Sequence, residues 1–245
     1  MSLVLMLILS PGHSQPAALE FDGVDDLVFI DEPGGFGFTS ALTVEAWVKP
    51  AQVDRGDTIG IVDGSGFVLF QRFTDNSAWG LSIVLGGPTD AASSPTGSLV
   101  ANCWTHLAAT FDGTTMRLFQ DGVFLAEADH LNAAPGREVY IDGPVHIGRW
   151  IRADAFEGVI DEVRIWDIVR GQNEIQQFMR EPLTGTEAGL IGYWPFDEAS
   201  GQVVMGYSSQ QNHGSLGFTI QEETDDPMWT VDHDFVFIDG FEATL

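Results

Sequence analysis

The residues best placed to do chemistry lie in one run, Phe156-Glu157-Gly158-Val159-Ile160-Asp161-Glu162-Val163-Arg164-Ile165-Trp166. Asp161, Glu162 and Arg164 interrupt a β-branched, proline-free stretch that reads as a long strand. Strict alternation puts Val159, Asp161, Val163 and Ile165 on one face and Ile160, Glu162, Arg164 and Trp166 on the other. Neither face is wholly polar. At least one of these charges therefore needs a partner, because an unpaired buried carboxylate is costly. Two readings stand: Glu162 and Arg164 are the exposed flanks of an ordinary strand, or Asp161 ligates a structural cation at the edge of a sandwich.

Other reactive groups are arranged for little. The six histidines have no metal-ligand spacing, and His106 and His146 fall in strand-like runs, where a partly buried structural role is the simplest reading. No Gly-x-Ser-x-Gly elbow is present, nor a Gly-x-Gly-x-x-Gly loop leading into a helix. Cys103 stands alone, so no disulfide can form within the chain, and beside Trp104 it reads as a small buried hydrophobe. The charge balance is lopsided, with 36 acidic residues against 10 basic ones and a net charge of −26. Such a surface repels nucleic acid and anionic membranes, which need a basic patch. It suits divalent cations, and it also keeps a protein soluble.

The elements that must position these groups are strands. Leu42–Lys49 alternates with period two and is closed by Pro50, which removes a ladder donor. Trp104–Phe111, Met116–Phe119 and Val123–Ala128 are separated by Asp112-Gly113 and Asp121-Gly122, two of six Asp-Gly pairs in the chain. Asp-Gly tolerates the positive φ of tight hairpin turns, so this density predicts an antiparallel meander or Greek key rather than βαβ units. Ile175, Phe178 and Met179 have helical spacing and predict one short helix stopped before Pro182. The 245 residues read as one large all-β domain over 15–220, with closing strands at about 189–220. Residues 221–245 read as an acidic linker and a terminal strand or tail. Residues 1–14 resemble a secretory signal, with an apolar Leu3–Leu9 run and small residues at Gly12 and Ser14 but no basic segment before it. No later stretch is apolar for long enough to form a membrane helix.

The ordered series Ala18–Asp26, Leu42–Pro50 (LTVEAWVKP), Trp104–Gly113 (WTHLAATFDG), Gln120-Asp121-Gly122, His146–Arg149 and Phe156–Trp166 resembles the laminin-G-like jelly rolls of the concanavalin A-like superfamily, and more distantly the pentraxins. The match spans about residues 18–181. The resemblance implies an antiparallel two-sheet β-sandwich with a helix after the last matching strand. It further implies a secreted or cell-surface module that recognises carbohydrate or an extracellular protein. Many members hold calcium near the junction of the first and last strands. Carried over, that site falls on Asp22 and Asp161, with Asp25 third; Asp22 is otherwise a turn residue bonded to nearby backbone. Pentraxin-style ligand binding needs acidic residues after His146–Gly148, where this chain has Arg149-Trp150-Ile151-Arg152. The superfamily also contains glycoside hydrolases, whose paired carboxylates occupy alternating strand positions. Glu20-Phe21-Asp22 lacks a third carboxylate, and Asp161 and Glu162 are adjacent, so a binding module rather than an enzyme is expected. Trp79 and Trp150, near loops, are the sugar-stacking candidates if they are not core. Trp47, Trp104 and Trp166 are expected in the core.

Overall fold

The computed structural model describes residues 17–31, 37–54, 58–72, 77–85, 89–131, 138–141, 143–150, 155–219 and 226–231. The signal-like run and the Phe235–Ile238 stretch lie outside the described residues. The strands are β1 (Ala18–Asp22), β2 (Val28–Ile30), β3 (Phe38–Thr39), β4 (Leu42–Pro50), β5 (Thr58–Gly64), β6 (Phe67–Arg72), β7 (Ala78–Ile83), β8 (Asp90–Ser93) and β9 (Thr105–Phe111). They continue with β10 (Thr115–Gln120), β11 (Val123–Asp129), β12 (Val139–Tyr140), β13 (Val145–Ile147), β14 (Glu157–Trp166), β15 (Leu190–Trp194), β16 (Val203–Val204), β17 (Gly214–Leu216) and β18 (Met228–Thr230). One helix, α1 (Gln172–Phe178), follows β14.

Two antiparallel sheets result. The first runs β11-β10-β9-β4-β14-β1-β18, with β15 also paired to β14. The second runs β16-β17-β2-β13-β5-β6-β7-β8, and β3 and β12 form a small separate ribbon. The strands after α1 join both sheets, β15 and β18 the first, β16 and β17 the second. The stretch that reads as a linker therefore includes a strand, β18, at the edge beside β1.

Alternation decides which side chains fill the space between the sheets. Leu42, Val44, Ala46 and Val48 of β4 meet Leu107, Ala109 and Phe111 of β9 there, opposite Val62, Leu69, Trp79 and Leu81 of the second sheet. Each fully buried large apolar side chain contributes about 1.5–3 kcal/mol, so this layer supplies most of the stability. The Asp121-Gly122 hairpin forms as its sequence predicts, with φ of 49° and 72° at its two central residues. Cys103 differs from expectation: it is exposed, in the short loop before β9.

Strict alternation fails in β14. Its pairing with β4 slips between Asp161 and Arg164, and Glu162 has φ of 51°. This bulge inserts one residue and reverses the phase of everything after it. Ile160, Val163 and Ile165 all reach the core as a result. Glu162 and Arg164 are not exposed flanks; they are 5% and 0% exposed on the outer face of the first sheet. At the other end of β14, Gly158 has φ of 136°, and a Cβ there would collide with the Lys49 carbonyl of β4. Only glycine accommodates both that φ and that approach.

Candidate functional site

The outer face of the first sheet is closed by α1 and the segment after it. Glu45 and Trp47 of β4, His106 and Ala108 of β9, and Arg164 and Trp166 of β14 point outward beneath this cover. Arg164 donates to Glu162 Oε2 at 2.6 Å and to the Phe178 and Glu181 carbonyls at 2.7 and 2.9 Å. The Tyr193 hydroxyl donates to the other oxygen of Glu162 at 3.1 Å. Arg170 stacks over Trp166, 4.1 Å from the ring centre, and lies 3.3 Å from Glu45, whose second oxygen is 3.4 Å from His106 Nε2. The indole of Trp47 donates to the Met179 carbonyl. Trp47 and Trp166 are thus buried under the helix side rather than between the sheets, and Trp104 is only half-buried against Trp47 and Met179. This network fastens the helix to the sheet.

Asp161 belongs to that covered face. It is 3% exposed and accepts the Glu162 backbone N–H at 2.9 Å. Burial, reinforced by the neighbouring Glu162 charge, pushes its pKa well above the usual carboxylate range. The register pairs Asp22 with Glu157, four positions before Asp161 along β14, a separation of roughly 13 Å. Asp161 therefore does not share a site with Asp22 and Asp25.

Those two meet Asp26 instead. Asp22 ends β1, Gly23 turns the chain at φ of 80°, and the three carboxylates offer oxygens within 4.8 Å of one another. One oxygen of Asp22 accepts the Val24 N–H, and one of Asp26 accepts the Asp22 N–H, which leaves the second oxygen of each available. Asp22 and Asp26 line a cleft of about 300 Å³ together with Glu20, Glu157 and Asp226. Gly217 has no side chain to displace the Asp226 carboxylate. Burial raises the Asp26 pKa to about 6, with repulsion from Asp22, Asp25 and Asp226 adding to it. Calcium takes hard oxygens at 2.3–2.6 Å, so oxygens about 5 Å apart or less fit opposite sides of one ion.

A different surface lies on the outside of the second sheet. Because Val28, Ile30, Val62, Leu69, Leu81, Val145 and Ile147 point inward, their neighbours point out. The pairing aligns Phe29, His146, Asp63, Val68 and Ser82 in one row across five strands. Trp150, just past β13, sits over this face because Gly60 leaves room; a Cβ at 60 would lie 2.5 Å from the Trp150 nitrogen. From His146 to Ser82 the row floors a groove of about 440 Å³ lined by Asp63, Val68, Ser82, Thr89, His146 and Trp150 among others. His146 is 8% exposed, Nδ1 lies 3.6 Å from Asp63 Oδ2, and neither ring nitrogen makes a hydrogen bond. Trp79 is not on this surface. It is 0% exposed between the sheets, with its indole donating to Gln120, because its position in β7 is in phase with Leu81 and Ile83.

Sequence reasoning reached Asp22, Asp25 and Trp150 but passed over Asp26, Asp226, Asp63 and the position of His146. The doublet Asp25-Asp26 directly after an Asp-Gly turn was a usable signal for the first. The others meet across strands distant in the sequence.

A profile of the Concanavalin A-like lectin/glucanases superfamily, of laminin-G type, matches residues 22–176, more than half of the chain. No curated protein matches the sequence. Among solved structures, a candidate carbohydrate-binding protein from Bacteroides ovatus superposes with a TM-score of 0.63 at 23% identity, over 89% of this chain and 62% of that one. This chain thus spans under two thirds of that protein. The heptameric SAP-like pentraxin of Limulus polyphemus superposes with a TM-score of 0.58 at 14% identity, over 89% of this chain and 96% of that one. The order of strands, the sandwich they build and the profile match agree: this chain belongs to the concanavalin A-like superfamily, as a laminin-G-like jelly roll.

Proposed function

We propose that this protein is an exported, non-catalytic carbohydrate-binding module, with calcium held at Asp22, Asp25 and Asp26. The observation that carries the binding role is the groove outside the second sheet, whose lining combines Trp150 with Asp63, Ser82 and Thr89. Sugars present an apolar ring face and a rim of hydroxyls, and a side chain like tryptophan with hydrogen-bonding neighbours complements both. The description of the Bacteroides ovatus neighbour as a carbohydrate-binding candidate supports the same reading. Hydrolysis by paired carboxylates needs two groups roughly 5–10 Å apart, and Asp63 is the one carboxylate among the described residues lining this groove. Recognition of an extracellular protein through its glycans follows from the same site.

A glycan array followed by calorimetry on the best ligand tests the binding role. Trp150→Ala is expected to weaken that ligand about tenfold or more, a loss of at least roughly 1.4 kcal/mol, without changing thermal stability. Undiminished binding in the variant would refute the placement, and an array without hits would refute the carbohydrate reading. Calcium is tested separately by thermal unfolding in calcium and in chelator at fixed ionic strength. At a hundredfold excess over the dissociation constant, binding adds about 2.7 kcal/mol, and Asp22→Ala and Asp26→Asn should each abolish the shift. An unchanged melting temperature in the parent protein would sink the calcium assignment and leave Asp22 as a turn residue.

A further inference from the structure

We infer that the ligand of this module is an extended, uncharged oligosaccharide lying across the strands of the second sheet, held by two subsites that meet over His146. The inference rests on the carbohydrate reading above and specifies its ligand. Beside the Trp150 groove lies a second hollow of about 190 Å³, lined by Leu27, His146, Arg149 and Phe218. His146 lines both, and Arg149 and Trp150 are consecutive, so the two hollows adjoin along one stretch of chain. Phe218 is 52% exposed and packs at 5.2 Å against Phe29, which in turn lies 5.4 Å from the His146 ring. One aromatic residue thus lines each hollow, Trp150 over Gly60 of β5 in one and Phe218 against Phe29 of β2 in the other.

Length and charge narrow the ligand. The outward row from Phe29 on β2 to Ser82 on β7 crosses four strand intervals, about 19 Å at the usual spacing. A single sugar occupies only part of this length, and only a chain extends through both hollows. Among the described residues the charged groups of the two linings are Asp63 and Arg149, and Arg149 already donates to the Asp25 carbonyl. With a net charge of −26 around them, a polyanionic glycan is repelled rather than drawn in. At the junction, both nitrogens of the His146 ring are covered and neither makes a hydrogen bond, with Asp63 Oδ2 3.6 Å from Nδ1. A buried polar group left unpaired is costly, and a small ring shift toward a ligand hydroxyl would relieve it.

Calorimetry with cello-, xylo-, manno- and arabino-oligosaccharides of one to six units tests this, with galacturonate oligomers as the charged series. For the series that binds, affinity should rise about tenfold or more from one unit to three or four and then level off. Phe218→Ala should remove that rise while leaving the shortest binding ligand unaffected, whereas Trp150→Ala should weaken every length. Phe218 is exposed, and an unchanged melting temperature confirms that the variant folds. Affinity independent of length, a length dependence untouched by Phe218→Ala, or tighter binding of the galacturonate series would each overturn the inference while leaving carbohydrate binding intact. No binding by any glycan here or on the array would overturn both.

Discussion

Arg164 is the residue whose loss should be felt most outside the inter-sheet core. Its guanidinium is fully buried, and it contacts Glu162, the Phe178 carbonyl at the end of α1 and the Glu181 carbonyl beyond it. Arg164→Met keeps much of the volume but strands the Glu162 carboxylate, which is left with the Tyr193 hydroxyl and with Asp161 next to it. Breaking a buried pair from one side costs about 3–5 kcal/mol. For a domain of this size that is roughly 6–20 °C in melting temperature. Adding Glu162→Gln removes the stranded charge and keeps an acceptor for Tyr193. The double variant then lacks mainly the donors to two carbonyls, at about 1 kcal/mol each. Urea unfolding of the four proteins in the cycle should therefore show the double variant more stable than Arg164→Met alone, with a coupling energy of at least about 1 kcal/mol. Effects that add within about 0.5 kcal/mol would mean that Glu162 and Arg164 are solvated separately, and the account of this network as the fastening between helix and sheet would fail.

Three further outcomes follow from the same packing. The Glu45 carboxyl sits below its ordinary value of 4.5: burial opposes ionisation, but His106, Arg164 and Arg170 outweigh it. Folding thus favours the charged form, so this contribution is complete above pH 4.5 and is lost as pH falls; Glu45→Gln should flatten the acid limb of a stability–pH profile, and an unchanged limb would contradict the assignment. Trp79→Ala should cost about 3–5 kcal/mol as a core truncation, and any glycan binding that survives in the folded fraction should have the parent affinity, which calorimetry below the melting transition reads directly. Gly158→Ala forces a side chain into positive φ and against the Lys49 carbonyl; a loss of more than about 1 kcal/mol is expected, and a neutral result in chemical denaturation would show that β4 and β14 separate there easily.

The sandwich was legible because its signals are local. Asp121-Gly122 makes its turn with its own two residues, and the alternation in Leu42–Pro50 needs no distant partner to assign a core face. The bulge in β14 was hidden for the opposite reason. Glutamate is an unfavourable residue at positive φ, and nothing in Asp161-Glu162 announces that one of them is extra; the clue was the excess of charge in an otherwise apolar strand, which alternation could not accommodate. Reading that charge as a cation ligand grouped Asp161 with Asp22, whereas the register sets it four positions along β14 from Asp22's partner Glu157, on the covered face. Asp26 and Asp226 are two hundred positions apart in the chain, and only the closing strands bring them to one cleft.

The two outer faces explain where function can sit. Both sheets have outward faces fixed by the same alternation, and both faces bring an acid near a histidine, Glu45 diagonally to His106 on the first and Asp63 directly opposite His146 on the second. On the first, the segment between β14 and α1 supplies Arg170 as a partner beneath the helix, and Glu45 becomes part of the scaffold. On the second, no helix covers the row among the described residues, and Asp63 and His146 face a groove with Trp150 rather than a basic side chain. Exchanging the two acids for their amides separates the roles: Glu45→Gln should change stability and spare ligand binding, whereas Asp63→Asn should weaken binding and leave the melting temperature within a few degrees of the parent. If Asp63→Asn instead unfolds the protein as readily as Glu45→Gln, the second face is scaffold too, and the ligand must be sought elsewhere.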